Sequence, residues 1–529
     1  MSRSLRLAGA LALLHLLTAL PSHPEQLLPR AWAMPAPEMV ILALLLIATG
    51  HRVPGQVTRG ITVLLLTLTT VLKVADLLML ESLGRRFNII GDLPLIDASV
   101  RLLAGSLGIV AATGVTLVAG VLVMAILAAL WWATGVLVRL ARGRAIVRLG
   151  SGIAAAGLAG ALMTLPHGPL RPLTRQFVLD HARLAGRTLT ELRSFRADAR
   201  RDALATLANP MERIDRDVLV IFLESYGRTS FDTPLFADRH LATLAEAQAR
   251  LTQAGLGMRS GFLTSPTHGG QSWLAHATLA NGLLVNDQIR YRAAIASGRQ
   301  TLFHRAAAAG FRTAAVMPAI VRPWPEASTM GFQTIIAAPD MGYRGLPFNW
   351  VTMPDQYTLA VTDRLLRDTP DPRPLFAQVV LISSHAPWVP VPWMVEWDQV
   401  GDGRIFDAMA QEGDPPEVVW RDRDRVRAQY RDAIDYTLQV VMSYAERQAD
   451  DPPLMVLVGD HQAAGSIGLD ERREVPIHVI GPPALVERTA AWGLATGLIP
   501  PRDLAPLPME DMRDLFLHGF SGSSDTPPA

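Results

Sequence analysis

Between Leu102 and Val138 no residue carries a charge, and a run of that length has few places to go other than the interior of a lipid bilayer. It is too long for one upright helix and too short for two full spans with a turn, so it reads as one tilted or extended span, Ser106 to Val136. Four more apolar segments share the first third of the chain, near Leu5 to Leu20, Glu38 to Gly50, Gly60 to Leu80 and Ile146 to Leu165. The segment at Glu38 reaches spanning length only if it begins around Arg30. The chain is therefore expected to open with a bundle of five transmembrane helices over residues 1–166.

The basic residues flanking these segments give an orientation. Arg3 and Arg6 precede the first, Arg52 and Arg59 lie between the second and third, and Arg139, Arg142, Arg144 and Arg148 lie between the fourth and fifth. The alternate loops hold Arg30, and Arg85, Arg86 and Arg101 diluted by Glu81, Asp92 and Asp97. The bias puts the N-terminus inside, and five spans put the remainder outside. Reading the first segment as a cleaved signal peptide would not move the C-terminal part. Lys73 and Asp76, one helical turn apart in the third segment, read as a neutralising pair.

Beyond residue 166 the composition changes. An Arg-rich stretch over residues 167–209 reads as a helical linker near the membrane surface, residues 210–518 as an α/β domain, and residues 519–529 as a disordered tail. A formal net charge of +1 gives no reason to expect a nucleic-acid partner. With no cysteine in the chain, disulfides, thiolate metal sites and a thiol nucleophile are all excluded. In the domain, short apolar runs at 217–223, 313–317, 376–382, 454–458 and 475–480 alternate with helical patterns, clearest at 241–251, 301–309, 356–366 and 421–448. Such alternation predicts a mostly parallel sheet with helices on both faces.

Several of these runs end in polar residues. Leu454-Met-Val-Leu-Val-Gly459 stops in Asp460 and His461, at the strand edge where α/β sheets bind ligands. Alone, this is equally a strand-end turn or part of a metal site. Glu224 directly follows six apolar residues, where a carboxylate is costly to bury unless paired or bound to a cation. Gly269-Gly-Gln-Ser272 opens a helix-like run. A serine oxygen there lies near the positive helix end and suits a nucleophile attacking phosphorus, although N-cap serines are common. His385 lies just past another strand, followed by Pro387 and Trp388.

Phe-Leu-Glu224-Ser, Gly270-Gln-Ser272, Ser384-His385-Ala-Pro and Gly459-Asp460-His461-Gln462 together, in this order, resemble the alkaline phosphatase and sulfatase superfamily. The match is to its membrane-anchored branch of lipoteichoic acid synthases and phosphoglycerol transferases. The resemblance covers residues 210 to 485 and includes the membrane anchor. It implies that Glu224, Asp460 and His461 hold one divalent metal and that Ser272 completes the shell as nucleophile. It further implies that His385 meets the substrate phosphate, with Arg322, Trp324 and Trp388 as further substrate contacts. Two carboxylates and an imidazole suit Mn²⁺ or Zn²⁺ and less often Mg²⁺, and Mn²⁺ is the expected ion. The family nucleophile is commonly threonine, so Thr267 is a second candidate. The absence of cysteine departs from the disulfide-linked domains of phosphoethanolamine transferases, and no Cys/Ser-x-Pro-x-Arg sulfatase motif surrounds Ser272.

The resemblance implies a multi-pass protein of the bacterial inner membrane with a periplasmic catalytic domain. The expected activity moves a phosphoglycerol-type headgroup from a membrane phospholipid to a glycan or other acceptor hydroxyl. Phosphoethanolamine transfer, phosphodiester hydrolysis, sulfatase-like hydrolysis and a non-catalytic membrane scaffold are the alternatives.

Overall fold

A computed structural model of the chain describes residues 2–522 except 24–35, 94, 98, 101–108, 141, 143, 165–172 and 323. Two compact units result, one of Met1–Glu81 with Arg85–Glu191 and one of Ser82–Gly84 with Leu192–Ala529.

The first unit is helical: Arg3–Ala19, Pro37–Thr49, Val53–Leu83, Ile109–Leu140, Ala145–Thr164 and Leu173–Ala199. Among the described residues, Val53–Leu83, Ile109–Leu140 and Ala145–Leu162 are long and apolar enough to cross a membrane. Of the five expected spans, three such helices are found among the described residues. Arg3–Ala19 has 17 residues and Pro37–Thr49 only 13. Pro37 begins the shorter one and Gly50, at a left-handed φ of 69°, ends it. Arg30, Arg101, Leu165 and the start of the charge-free run lie outside the described residues. Leu14, Met39, Leu46, Leu66, Leu130 and Leu137 form the buried core of the unit.

Lys73 and Asp76 are both buried, but they find separate partners. Lys73 Nζ donates to the Thr18 carbonyl at 2.8 Å. Asp76 Oδ1 accepts the Phe87 N–H at 2.9 Å and lies 3.4 Å from His181 Nε2. The expected mutual pair is replaced by ties to other helices and loops, which engage Lys73 Nζ and Asp76 Oδ1 and leave Asp76 Oδ2 buried without a hydrogen bond among the described residues. Leu173–Ala199 gives the Arg-rich stretch its helix.

The second unit is built on one sheet in the order β4-β3-β5-β1-β6-β7-β2-β8, with β9 pairing β2. The principal strands are β1 (Val218–Leu223), β2 (Gly257–Thr264), β3 (Arg312–Met317), β4 (Thr334–Ala337), β5 (Leu375–Leu381), β6 (Leu454–Gly459) and β7 (Glu474–Gly481); β8 (Ala495–Thr496) and β9 (Leu507–Pro508) are two-residue strands. All of β1, β5 and β6 is buried. Successive side chains point to opposite faces, so both faces of this centre are covered, as an unbroken apolar run requires. The helix Arg423–Arg447 packs beside Pro234–Gln253, with Tyr430 edge-on to Phe236 at 5.2 Å.

The mostly parallel sheet expected from the sequence is in fact mixed. β4, β3, β5, β1 and β6 run parallel, whereas β7 runs against both β6 and β2. Two reversals restore the direction, so β2 ends at the same edge as β1, β5 and β6. At the C-terminus, Gly519 and Phe520 belong to the helix Met512–Phe520, and residues 523–529 of the expected tail lie outside the described residues.

Candidate active site

Glu224 leaves the end of β1 and Asp460 the end of β6, two strands in register with Leu223 opposite Gly459. The chains beyond these ends interlock so closely that side chains are excluded. A Cβ on Gly459 would lie 1.9 Å from the Tyr226 carbonyl oxygen. Ser225 adopts a left-handed φ of 57°, turning the strand end back so that its N–H donates to Asp460 Oδ1 at 2.8 Å.

Glu224, Asp460 and His461 are buried, and one ligand atom of each lies within 4.8 Å of the others. His461 Nε2 stands 3.1 Å from Glu224 Oε1 and 3.8 Å from Asp460 Oδ1. His461 Nδ1 lies 3.0 Å from the Gln462 carbonyl. A carbonyl only accepts, so Nδ1 carries a hydrogen and Nε2 is the ring atom that would face a cation once it is unprotonated. Asp460 Oδ2 and His461 Nε2 are buried without a hydrogen-bond partner. One orphaned carboxylate oxygen and one orphaned imidazole nitrogen beside the Glu224 carboxylate fit a divalent metal.

The electrostatics point the same way. Burial raises the Asp460 carboxyl, and the Glu224 charge raises it further, to about 7. Burial opposes charge on His461, but Asp460 and Glu224 outweigh it and push the imidazole up to about 9. Glu224 is buried too, yet the His385 and His461 imidazoles hold its carboxyl far below the usual range. Crowded beside the ionised Glu224, Asp460 and His461 thus hold protons that a divalent cation would displace.

Ser272 joins this group. Its Oγ donates to Glu224 Oε2 at 2.9 Å. Gly269, Gly270 and Gln271 all have positive φ, at 72°, 147° and 68°, a sharp turn that sets Ser272 as the first residue of the ten-residue helix Ser272–Asn281. Gln271, not Ser272, is the N-cap. The loop is held against β6 by Ser265 Oγ donating to the Asp460 carbonyl at 2.6 Å and by Gly269 N–H donating to Gln462 at 2.8 Å. Thr267, the second candidate, gives its hydroxyl to the Gly270 carbonyl at 2.7 Å. It braces the turn and does not reach the acids.

His385 follows β5, half-buried, and its charge bears on Glu224. Ser384 Oγ donates to the Glu224 carbonyl at 2.6 Å, fixing this loop to the end of β1. Trp388 is buried. Its Nε1 donates to the Ser384 carbonyl at 2.7 Å, and its ring stacks on Trp420 with centroids 5.8 Å apart. Arg322 and Trp324 come after β3, the sheet neighbour of β5, at the same edge. Arg322 is exposed and makes no ion pair among the described residues, while Trp324 is half-buried near Phe332. No hydrogen bond or ring contact among the described residues joins either to the acids.

One buried residue that no sequence motif marked organises the His385 loop. Asp355 Oδ1 accepts the backbone N–H groups of Ile382 and Ser383 at 2.7 and 2.9 Å, and its Oδ2 accepts Thr437 Oγ1 at 2.7 Å. Its only sequence signal is an acid opening a helical pattern, which is commonplace.

A hydroxyl, two carboxylates and an imidazole converge at the C-terminal edge of an α/β sheet, and the two carboxylates and the imidazole could hold a metal ion. Residues 216–474 match the family model described as Sulfatase; this stretch is a sulfatase-family domain of the alkaline phosphatase superfamily. No curated protein matches the chain. Among solved structures, the chain is similar to the lipoteichoic acid synthase LtaP from Listeria monocytogenes, at 12% identity over 55% of this chain and 70% of that one, with a TM-score of 0.36. It is similar also to the soluble domain of lipooligosaccharide phosphoethanolamine transferase A from Neisseria meningitidis, at 12% identity over 60% and 91% of the two chains, with a TM-score of 0.39. The phosphoglycerol transferase GacH from Streptococcus pyogenes is similar at 12% identity over 62% and 90%, with a TM-score of 0.33. Likenesses this distant carry nothing about substrate.

Proposed function

We propose that the protein transfers a phosphoglycerol-type headgroup from a membrane phospholipid to an acceptor hydroxyl, through a covalent intermediate on Ser272. The observation that carries this reading is the Ser272 hydroxyl 2.9 Å from Glu224, within the buried acid and imidazole group. Glu224, Asp460 and His461 would hold the divalent cation, Mn²⁺ by preference. When bound, that ion supplies positive charge that lowers the pKa of a neighbouring hydroxyl and offsets phosphate charge.

Glu224 Oε2 is placed to accept the Ser272 proton as the oxygen attacks phosphorus. The new Oγ–P bond replaces the P–O bond to diacylglycerol, which leaves with a proton. The acceptor hydroxyl then attacks the same phosphorus, loses its proton and restores free Ser272. His385 would bind the phosphoryl oxygens. The uncommitted guanidinium of Arg322 and the Trp324 indole would meet the headgroup, with Trp388 supporting the His385 loop. Three helices of spanning length support anchoring at the membrane, and the arginine bias supports a domain outside the cytoplasm.

The test is release of diacylglycerol from labelled phosphatidylglycerol by the purified protein with Mn²⁺, together with mass spectrometry of the Ser272 peptide. A phosphoglycerol increment on Ser272 is expected. Ser272→Ala should lower release by about a thousandfold or more, as loss of a nucleophile does elsewhere. Undiminished release from Ser272→Ala would remove Ser272 from the mechanism.

A further inference from the structure

Trp350 lies outside every motif described above, yet its indole lies face to face with the His385 imidazole, with ring centroids 3.8 Å apart and planes 19° from parallel. The indole is half-buried and is not among the side chains packed against the domain core. Its contact with His385 is therefore no by-product of core packing.

The turn that carries Trp350 is held at both sides. Phe348 and Val351, both buried, exchange backbone hydrogen bonds of 2.8 and 3.1 Å across it. Asn349 sits at a left-handed φ of 56°, which asparagine tolerates better than most residues. Its Nδ2 donates to the Val389 carbonyl at 2.5 Å, tying the turn to the segment that contains His385. In that segment His385 N–H donates to Ile382 at 3.0 Å, and Trp388 N–H donates to His385 at 3.2 Å.

The imidazole has one polar tether. His385 Nδ1 lies 2.5 Å from the Ala386 carbonyl, so Nδ1 donates there and Nε2 is the ring atom left to meet phosphate, as an N–H donor. No hydrogen bond engages Nε2 among the described residues. A single tether at Nδ1 leaves the ring able to swing about its soft terminal torsion. An aromatic face laid flat against it blocks that swing, and stacking of this kind contributes roughly 0.5–1.5 kcal/mol beyond area burial.

We propose that Trp350 is a positioning residue that holds His385 Nε2 in line for the substrate phosphate. The proposal rests on the reading of His385 as a phosphate contact, and a displaced contact of this type costs rate more than binding.

The experiment uses the full-length protein in detergent micelles with Mn²⁺ and fluorescent phosphatidylglycerol. Trp350→Ala should lower kcat about tenfold with KM changed by less than about twofold, and Trp350→Phe should stay within about threefold of the parent. Trp350→Ala combined with His385→Gln should be no slower than His385→Gln alone, because both remove the same function. Losses that multiply, or Trp350→Ala turning over like the parent, overturn the proposal. A second readout needs no substrate: the Nδ1–H resonance of ¹⁵N-labelled His385, identified by its absence in His385→Gln. It should broaden in Trp350→Ala and persist in Trp350→Phe, and an unchanged resonance in Trp350→Ala also overturns the proposal. If the resonance responds while the parent releases no diacylglycerol, the donor reading has failed and the positioning role stands.

Discussion

Asp460 and His461 retain protons that a metal must displace, and this has a measurable sign. His461 Nε2 can bind a cation only after losing its proton, and its imidazole is pushed up to about 9 while Asp460 is pushed up to about 7. Between pH 6 and those values metal and proton compete, so Mn²⁺ affinity should rise with pH. The expected slope is about tenfold per pH unit for each proton displaced. Calorimetry in buffers of different ionisation enthalpy should show net proton release on binding at pH 6.5. Affinity independent of pH between 6 and 8 would contradict this. Glu224, Asp460 and His461 were legible in the sequence because each ends an apolar run, where a charged group needs a reason to be there. Asp355 and Trp350 were not, since an acid at a helix start and a tryptophan in a loop are ordinary until the fold brings them to β5.

Among the strands, those with unbroken apolar runs were legible, and β2 and β4 were not. Gly257, Arg259 and Gly261 interrupt β2, and β4 has only four residues; both owe their pairing to neighbours far away in sequence. The close approach of β1 and β6 makes a prediction at this level. Gly459→Ala puts a methyl 1.9 Å from the Tyr226 carbonyl, so the ends of the two strands must part. A loss of about 1–3 kcal/mol is expected, the usual cost of overpacking, along with weaker Mn²⁺ binding, read from thermal melts with and without the ion.

β7 also carries a pH dependence. His478 lies buried between Ser260 Oγ at 2.7 Å and the Tyr226 hydroxyl at 3.1 Å, and burial lowers it to about 3. His240, in the helix Pro234–Gln253, is lowered to about 4 by burial. Both stay neutral in the fold but protonate near pH 6.5 when unfolded. Their contribution is therefore complete above pH 6.5 and is lost as pH falls from there toward 4 and 3. The limiting slope is about 1.4 kcal/mol per pH unit for each. Melting temperature should fall steeply from pH 6.5 to 4.5, and His478→Gln should flatten that fall. An equally steep fall in the variant would assign the loss to other groups.

Over the whole molecule, the division into an apolar helical part and a charged α/β part was plain from where the charges begin. The number of spanning helices was less plain, because among the described residues the segments at Leu5 and Glu38 form helices of 17 and 13 residues. The cysteine-free chain allows a clean test of orientation. A lone cysteine introduced as Glu412→Cys, an exposed site in the α/β unit, should react with a membrane-impermeant maleimide on intact cells or spheroplasts. Ser2→Cys should react only after the membrane is opened. The opposite pattern would reverse the proposed topology.

The reversed strand β7, set between β6 and β2, has a mechanical consequence. It sets β2 three places from β1 in the sheet, roughly 14 Å away at the usual strand spacing, yet the hydroxyl delivered after β2 must meet the carboxylate that ends β1. The backbone from Ser265 to Gln271 is therefore a gauge as well as a linker. Its coiled, positive-φ turn takes up slack, so that chain length sets where the hydroxyl stops. Reach in this protein is written as a number of residues, and adding or removing one there would mis-set the Ser272 hydroxyl while leaving Glu224, Asp460 and His461 untouched in sequence.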